Sequence, residues 1–216
     1  MRTIRVTGKG AVGVRPDMTR LDIRVAGVCP EYSKALERST QDAEALRAAF
    51  GAIGFQKTDL KTTGFGVRAQ YESHRDENGD YRQLFAGYAY THCLKVEFEN
   101  DDAVLSKALN ALAYGQVKAR FGITFFVSDP ESLRNRLLRK AVCDAVAKAG
   151  ALAKAAGVSL EAIQSIDYSW GEIELAVTPS ESIDYAGADA DAPCELAIEP
   201  EDIEAEDTVT VVWEIE

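Results

Sequence analysis

Apolar residues recur with a period of two along much of this chain, and where that period breaks it gives way to three- and four-residue steps. Residues 3–15 set Ile4, Val6, Val12 and Val14 on one face against Thr3, Arg5, Thr7, Lys9 and Arg15 on the other, the pattern of a half-buried strand. Beyond a turn at Pro16 and Asp17, Leu21, Ile23 and Val25 alternate with Arg20, Asp22 and Arg24, which predicts a second strand paired with the first as a hairpin. From Tyr32 to Ile53 the spacing becomes helical, with Leu36, Ala43, Leu46 and Phe50 on one face and Gly54 as the stop.

Two strands follow at about 60–75 and 81–99, joined by Glu77-Asn78-Gly79-Asp80, and Asn-Gly is a strong hairpin signal. The second presents Tyr88, Tyr90, His92, Leu94, Val96 and Phe98 on one face. Asn100 is placed to cap a short helix running to about Tyr114, with Asp101 and Asp102 at its positive end. A strand at 117–127 leads to a long helix ending near Gly157, opened by a Ser128/Glu131 capping box or by Asp129 with Pro130 at the first turn. Its stripe Leu133, Leu137, Ala141, Ala145, Ala149 is mostly small, so the helix can lie close against a sheet. Residues 163–177 and 208–215 read as final strands around an acidic loop at 178–207. The sum is an α+β chain, with mainly antiparallel sheets packed against two long helices and one short one.

Composition narrows the function. With 46% hydrophobic residues in 216 the chain can bury a core, and no apolar run approaches the roughly 20 residues that cross a bilayer. The N-terminus MRTIRVTGKG lacks the apolar core of a secretory signal, so the expected compartment is the cytoplasm. Lys154 is the last basic residue: residues 1–154 carry twenty-four basic against eighteen acidic groups, residues 155–216 seventeen acidic and none basic. A net charge of -11 argues against general nucleic-acid binding, which needs a positive surface, and favours attraction between the two segments.

Candidate chemistry is sparse. Gly8-Lys9-Gly10-Ala11-Val12-Gly13 matches GxGxxG after a strand, yet Val14-Arg15-Pro16 and another strand follow where a dinucleotide site needs a helix. No cofactor is expected; glycines here let the strand bend or another backbone approach. Cys29, Cys93, Cys143 and Cys194 form no CxxC pair, which predicts no metal and mostly reduced thiols while leaving one disulfide open. In the acidic loop an EF-hand counted from Asp189 meets Cys194 and Pro200 where glycine and glutamate belong. His92, on the apolar strand face near Tyr88 and Tyr90, is the sole nucleus for an enzyme, and a hydrogen-bonded core role competes with it. Arg68, Tyr71, His74, Arg75, Tyr81 and Arg82 mix cations and aromatics along the long hairpin. That mixture fits a solvated hairpin, an arm reaching a neighbouring subunit, or base stacking.

Three stretches together resemble the SIMPL-domain family, which includes oxidative-stress-defence and periplasmic immunogenic proteins. They are Val6-Thr7-Gly8-Lys9-Gly10 with Arg15-Pro16-Asp17; Thr58-Asp59-Leu60-Lys61-Thr62 through Tyr71 with Gly87-Tyr88; and the Ala-rich helix from Ala141 to Gly157. The resemblance implies an α+β fold of two interleaved subdomains, higher oligomers in some members, and no established catalytic residues. One domain over 1–216 is therefore expected, with a first subdomain of about 1–55 plus the C-terminal strands and a second of about 56–160. The leading expectation is a non-enzymatic homo-oligomer binding neither membrane nor nucleic acid; the alternative is a small-ligand or partner-binding module linked to stress.

Overall fold

A computed structural model describes residues 2–75, 81–168, 175–177 and 198–216. Its elements run β1 (Thr3–Val14), β2 (Met18–Cys29), α1 (Tyr32–Ala52), β3 (Lys61–Arg75), β4 (Tyr81–Glu99), α2 (Asp102–Ala113), β5 (Ala119–Phe126), α3 (Pro130–Ala156), β6 (Leu160–Asp167), β7 (Ala176–Val177) and β8 (Ile203–Ile215). The fold is α+β, as its alternating periods predict. Two compact units divide it, interleaved along the chain. The first takes its described residues from Met1–Asp17, Phe126–Val177 and Pro200–Glu216, the second from Met18–Phe125 and Thr178–Glu199.

In the first unit β8 lies between β1 and β6, antiparallel to both. Val6 pairs with Val211 and Val12 with Ala205, and this face is covered by Leu133, Leu137, Ala141, Ala145 and Ala149 of α3. The small residues matter because the helix lies on bare strand. A Cβ on Gly8 would stand 2.0 Å from the Ala141 carbonyl oxygen, and one on Gly10 2.2 Å from that of Leu137. The glycine pattern thus admits a helix backbone, not a cofactor. Asp129 caps α3 by accepting from the Ser132 amide at 2.9 Å, and Gly157 ends it at φ 68°, the left-handed stop glycine favours.

The second unit arranges β3, β4, β2 and β5 in that order. Leu21, Ile23 and Val25 of β2 and Leu94 and Val96 of β4 meet Ala35, Leu46 and Phe50 of α1 and Leu105 and Ala108 of α2 in one core. Asp101, rather than Asn100, caps α2 by accepting from the Ala103 and Val104 amides. Asn100 instead accepts from the Thr19 hydroxyl at 2.9 Å.

Three expectations require correction. β1 and β2 do not form a hairpin: β1 pairs with β8, and β2 pairs with β4 over its whole length. The Asp17 carboxylate, expected in a tight turn, accepts from the Ser128 amide at 2.7 Å and hydroxyl at 2.5 Å. The unit boundary consequently falls after Asp17 rather than near residue 55, since β2 and α1 share a core with β4, while α3 covers β1 and β8. Lastly, β8 begins at Ile203, so Glu204, Glu206 and Asp207 belong to a strand instead of the expected acidic loop. Ile203 and Ala205 are buried between exposed Glu204 and Glu206, an alternation obscured by the charge and by alanine's small apolar surface. Of the remaining loop residues, 178–197 lie outside the described residues.

Candidate interaction surface

The hairpin of β3 and β4 owes its shape to one extra residue. Register runs from Phe65 opposite His92 to Gln70 opposite Gly87, then skips Ala86, so Tyr71 faces Phe85. A bulge re-aims the side chains beyond it, and this one puts Phe85 on the same side as Tyr88. Gly87 is required twice: its φ is 140°, which side chains disfavour, and a Cβ there would stand 2.5 Å from the Cys29 carbonyl oxygen.

A row of aromatic rings results. Phe85 lies 5.3 Å from Tyr88 and 5.7 Å from Tyr71, and Tyr32 at the start of α1 lies 5.6 Å from Tyr88, all edge-on. Each such pair contributes about 0.5–1.5 kcal/mol beyond burial. Tyr32 (51%), Tyr71 (56%) and Phe85 (50%) nevertheless stay half exposed, because α1 starts at Tyr32 and the ribbon continues past it. Exposed apolar residues that adjoin in this way form a candidate docking surface.

The six residues singled out from the sequence all map to this hairpin, and the pleat sorts them. Tyr71 shares the aromatic face with Phe85, and Tyr81, 76% exposed, is four residues from Phe85 along the same face, paired with Arg75. Arg68 is paired with Ala89, and His74 with Arg82, on the other face. The one mixed cluster is thus divided between two faces, Tyr71, Arg75 and Tyr81 at register positions of one and Arg68, His74 and Arg82 at those of the other. Sequence reasoning missed Phe85, Tyr88 and Tyr32 as members. The signal for Phe85 is Gly87, but only with the bulge placed does it turn Phe85 toward Tyr88.

Beneath α1 the helix and sheet are joined by polar groups. Asp42, buried, accepts from the Tyr90 hydroxyl at 2.5 Å and pairs with Arg38 at 3.1 Å. Burial, helped by the Asp42 contact, pushes the Tyr90 phenol up to about 12. Gly27 makes room for that ring, since a Cβ there would meet the Tyr90 hydroxyl at 2.7 Å. His92 sits between two hydroxyls, with Ser39 at 3.1 Å from Nδ1 and Thr62 at 3.0 Å from Nε2, and Phe65 edge-on at 5.4 Å. Burial lowers its pKa, the Ser39 contact opposing and the Arg47 charge assisting. With both nitrogens engaged, the imidazole ties the buried Ser39 of α1 to the exposed Thr62 of β3. Among the described residues no cluster of three or more metal-ligating side chains occurs, and no helix is long and apolar enough to cross a membrane.

Comparison with known proteins places this geometry. The profile of the SIMPL family, described as a protein of unknown function (DUF541), matches residues 4–213. The chain is 29% identical over 166 residues to the 26 kDa periplasmic immunogenic protein of Brucella melitensis biotype 1 and, equally, to that of Brucella abortus strain S19. Each match covers 76% of this chain and 65% of the relative, so the chain spans about two thirds of the length of these curated proteins. Their names put those proteins in the periplasm, which overturns the cytoplasmic expectation. The alternation at the N-terminus is the signature of β1, a core strand, and carries no information about compartment.

Proposed function

The chain belongs to the SIMPL family, and from that premise we propose that it is a periplasmic, non-enzymatic protein that self-assembles through the aromatic face of its β3–β4 hairpin. The row Tyr32, Tyr88, Phe85, Tyr71, half exposed at all but Tyr88, carries this reading. Interfaces concentrate binding energy in such rigid aromatic anchors, and two strands held in register present them with little entropy left to lose. The hydroxyl-locked His92 supports the non-enzymatic half of the reading, and the relatives' names support the compartment. Sedimentation velocity over a dilution series tests it. Species larger than the 23.5 kDa chain that dissociate on dilution are expected; one 23.5 kDa species at tens of micromolar would end the proposal.

A second reading, a module for a small apolar ligand, is favoured by a cavity of about 350 Å³ lined by Ala45, Leu46, Ala49, Ala111, Tyr114 and Val117. Its size and apolar lining fit a small hydrophobic molecule. A ligand bound only by the folded state raises the melting temperature, so a panel of apolar compounds that leaves melting unchanged rejects this reading.

A further inference from the structure

A self-assembling hairpin needs a receptor, and the first unit carries a surface suited to one. On α3, Lys140, Asp144 and Lys148 recur every four residues and close the outer edge of β1. Lys140 donates to the Ala11 carbonyl at 2.9 Å, the Lys9 amide donates to Asp144 at 2.7 Å, and Lys148 donates to the Thr7 carbonyl at 3.4 Å. The opposite flank of the helix, also spaced by four, is Leu138, Val142 and Val146, of which Val142 (36%) and Val146 (49%) are exposed. Below that flank lies β6. Ile163 is paired with Trp213 and Ile166 with Val211, and cross-strand partners share a face. Both isoleucines therefore lie on the helix side, yet they are 52% and 55% exposed. β6 is the outer strand of its sheet among the described residues, and only the far edge, β1, is protected.

We propose that the hairpin of a second copy is what covers this strip, the outer edge of its β3 adding to the outer edge of β6 so that Tyr71 and Phe85 meet Ile163, Ile166 and Val146. The inference rests on the self-assembly reading and specifies its receptor. Both strands end their sheets, so each has backbone groups to offer the other. Charge selects the crossed pairing. The hairpin shaft carries Arg68 and Arg82 against Glu72, while Glu161, Asp167 and Glu214 border the strip, Asp167 shared with Arg5 and Glu214 with Gln164. Shaft on shaft or strip on strip sets like charges together; shaft on strip does not. The contact joins unlike surfaces, so it builds rings or filaments unless two copies exchange hairpins as a closed pair.

Complementation tests it. Tyr71→Ser/Phe85→Ser removes the hairpin half and Ile163→Lys/Ile166→Lys the strip half, all four at exposed positions. Each double variant alone should sediment as one subunit, and an equimolar mixture should give a two-subunit species, because one intact contact survives between unlike copies. If the strip variant keeps the wild-type mass, or the mixture stays at one subunit, the receptor is misassigned while hairpin assembly still stands. A wild type that is itself one subunit sinks the reading beneath. Should the strip variant melt early, Val146→Lys on the helix flank repeats the test and should weaken self-association at least tenfold; an unchanged mass would reject the strip.

Discussion

Single residues in this chain are constrained by what touches them from far away in sequence. Gly8 and Gly10 are constrained by α3, whose carbonyl oxygens a Cβ would overlap at 2.0 and 2.2 Å. Gly8→Ala should destabilise the protein by roughly 3 kcal/mol, the range for forced overpacking, whereas Gly13→Ala, with nothing within 4 Å, should stay within about 0.5 kcal/mol; thermal melts compare them. Tyr90 and His92 predict opposite pH responses. His92 titrates below its ordinary value, so the folded state favours the neutral ring. The stability it contributes is present above the unfolded value near 6.5 and drains as pH falls toward the lower folded value. His92→Gln should flatten denaturant midpoints measured between pH 7 and 5. Tyr90, raised to about 12, loses its contribution as pH climbs from about 10, and an absorbance titration of Tyr90→Phe should lack a late phenolate that the wild type shows. Close backbone approach at Gly8 and Gly10 was one of two readings the sequence left open, beside a bent strand, and the helix lying on both glycines decides between them. The Tyr90–Asp42 and His92–Ser39 contacts were not, since they join positions 48 and 53 residues apart.

Elements were legible where period and punctuation agreed. The helix from Tyr32, the pairing of β3 with β4 and the long helix between Pro130 and Gly157 follow from spacing and caps, and all three form, while the Asn78-Gly79 turn itself lies outside the described residues. Strand pairing was not legible: the alternation of β1 fits β2 as well as β8, and the choice depends on which face α3 covers. Edge protection is likewise a property of neighbours. Lys140, Asp144 and Lys148 look like an ordinary solvated helix face, yet they satisfy the outer edge of β1. Replacing all three with alanine should leave the helix formed and expose that edge. The expected outcome is faster aggregation on incubation, followed by turbidity, with the circular-dichroism helix signal retained.

At the scale of the molecule, the basic and acidic halves of the sequence meet inside one unit. Arg5 pairs with Asp167 at 3.2 Å and Lys9 with Glu206 at 2.6 Å, all at exposed side chains. Exposed pairs contribute about 0–1 kcal/mol, so added salt should move the subunit's melting point little. The proposed assembly draws instead on apolar surface left uncovered on the hairpin, and part of that surface was legible: Tyr71 and Tyr81 were visible in the sequence, whereas Phe85, Tyr88 and Tyr32 joined only through the bulge at Ala86 and the start of α1. Light scattering on the wild type and on Tyr71→Ser/Phe85→Ser, at one micromolar-range concentration, tests the central claim most directly. A multiple of 23.5 kDa for the wild type and 23.5 kDa for the variant is predicted; equal masses for the two would contradict it.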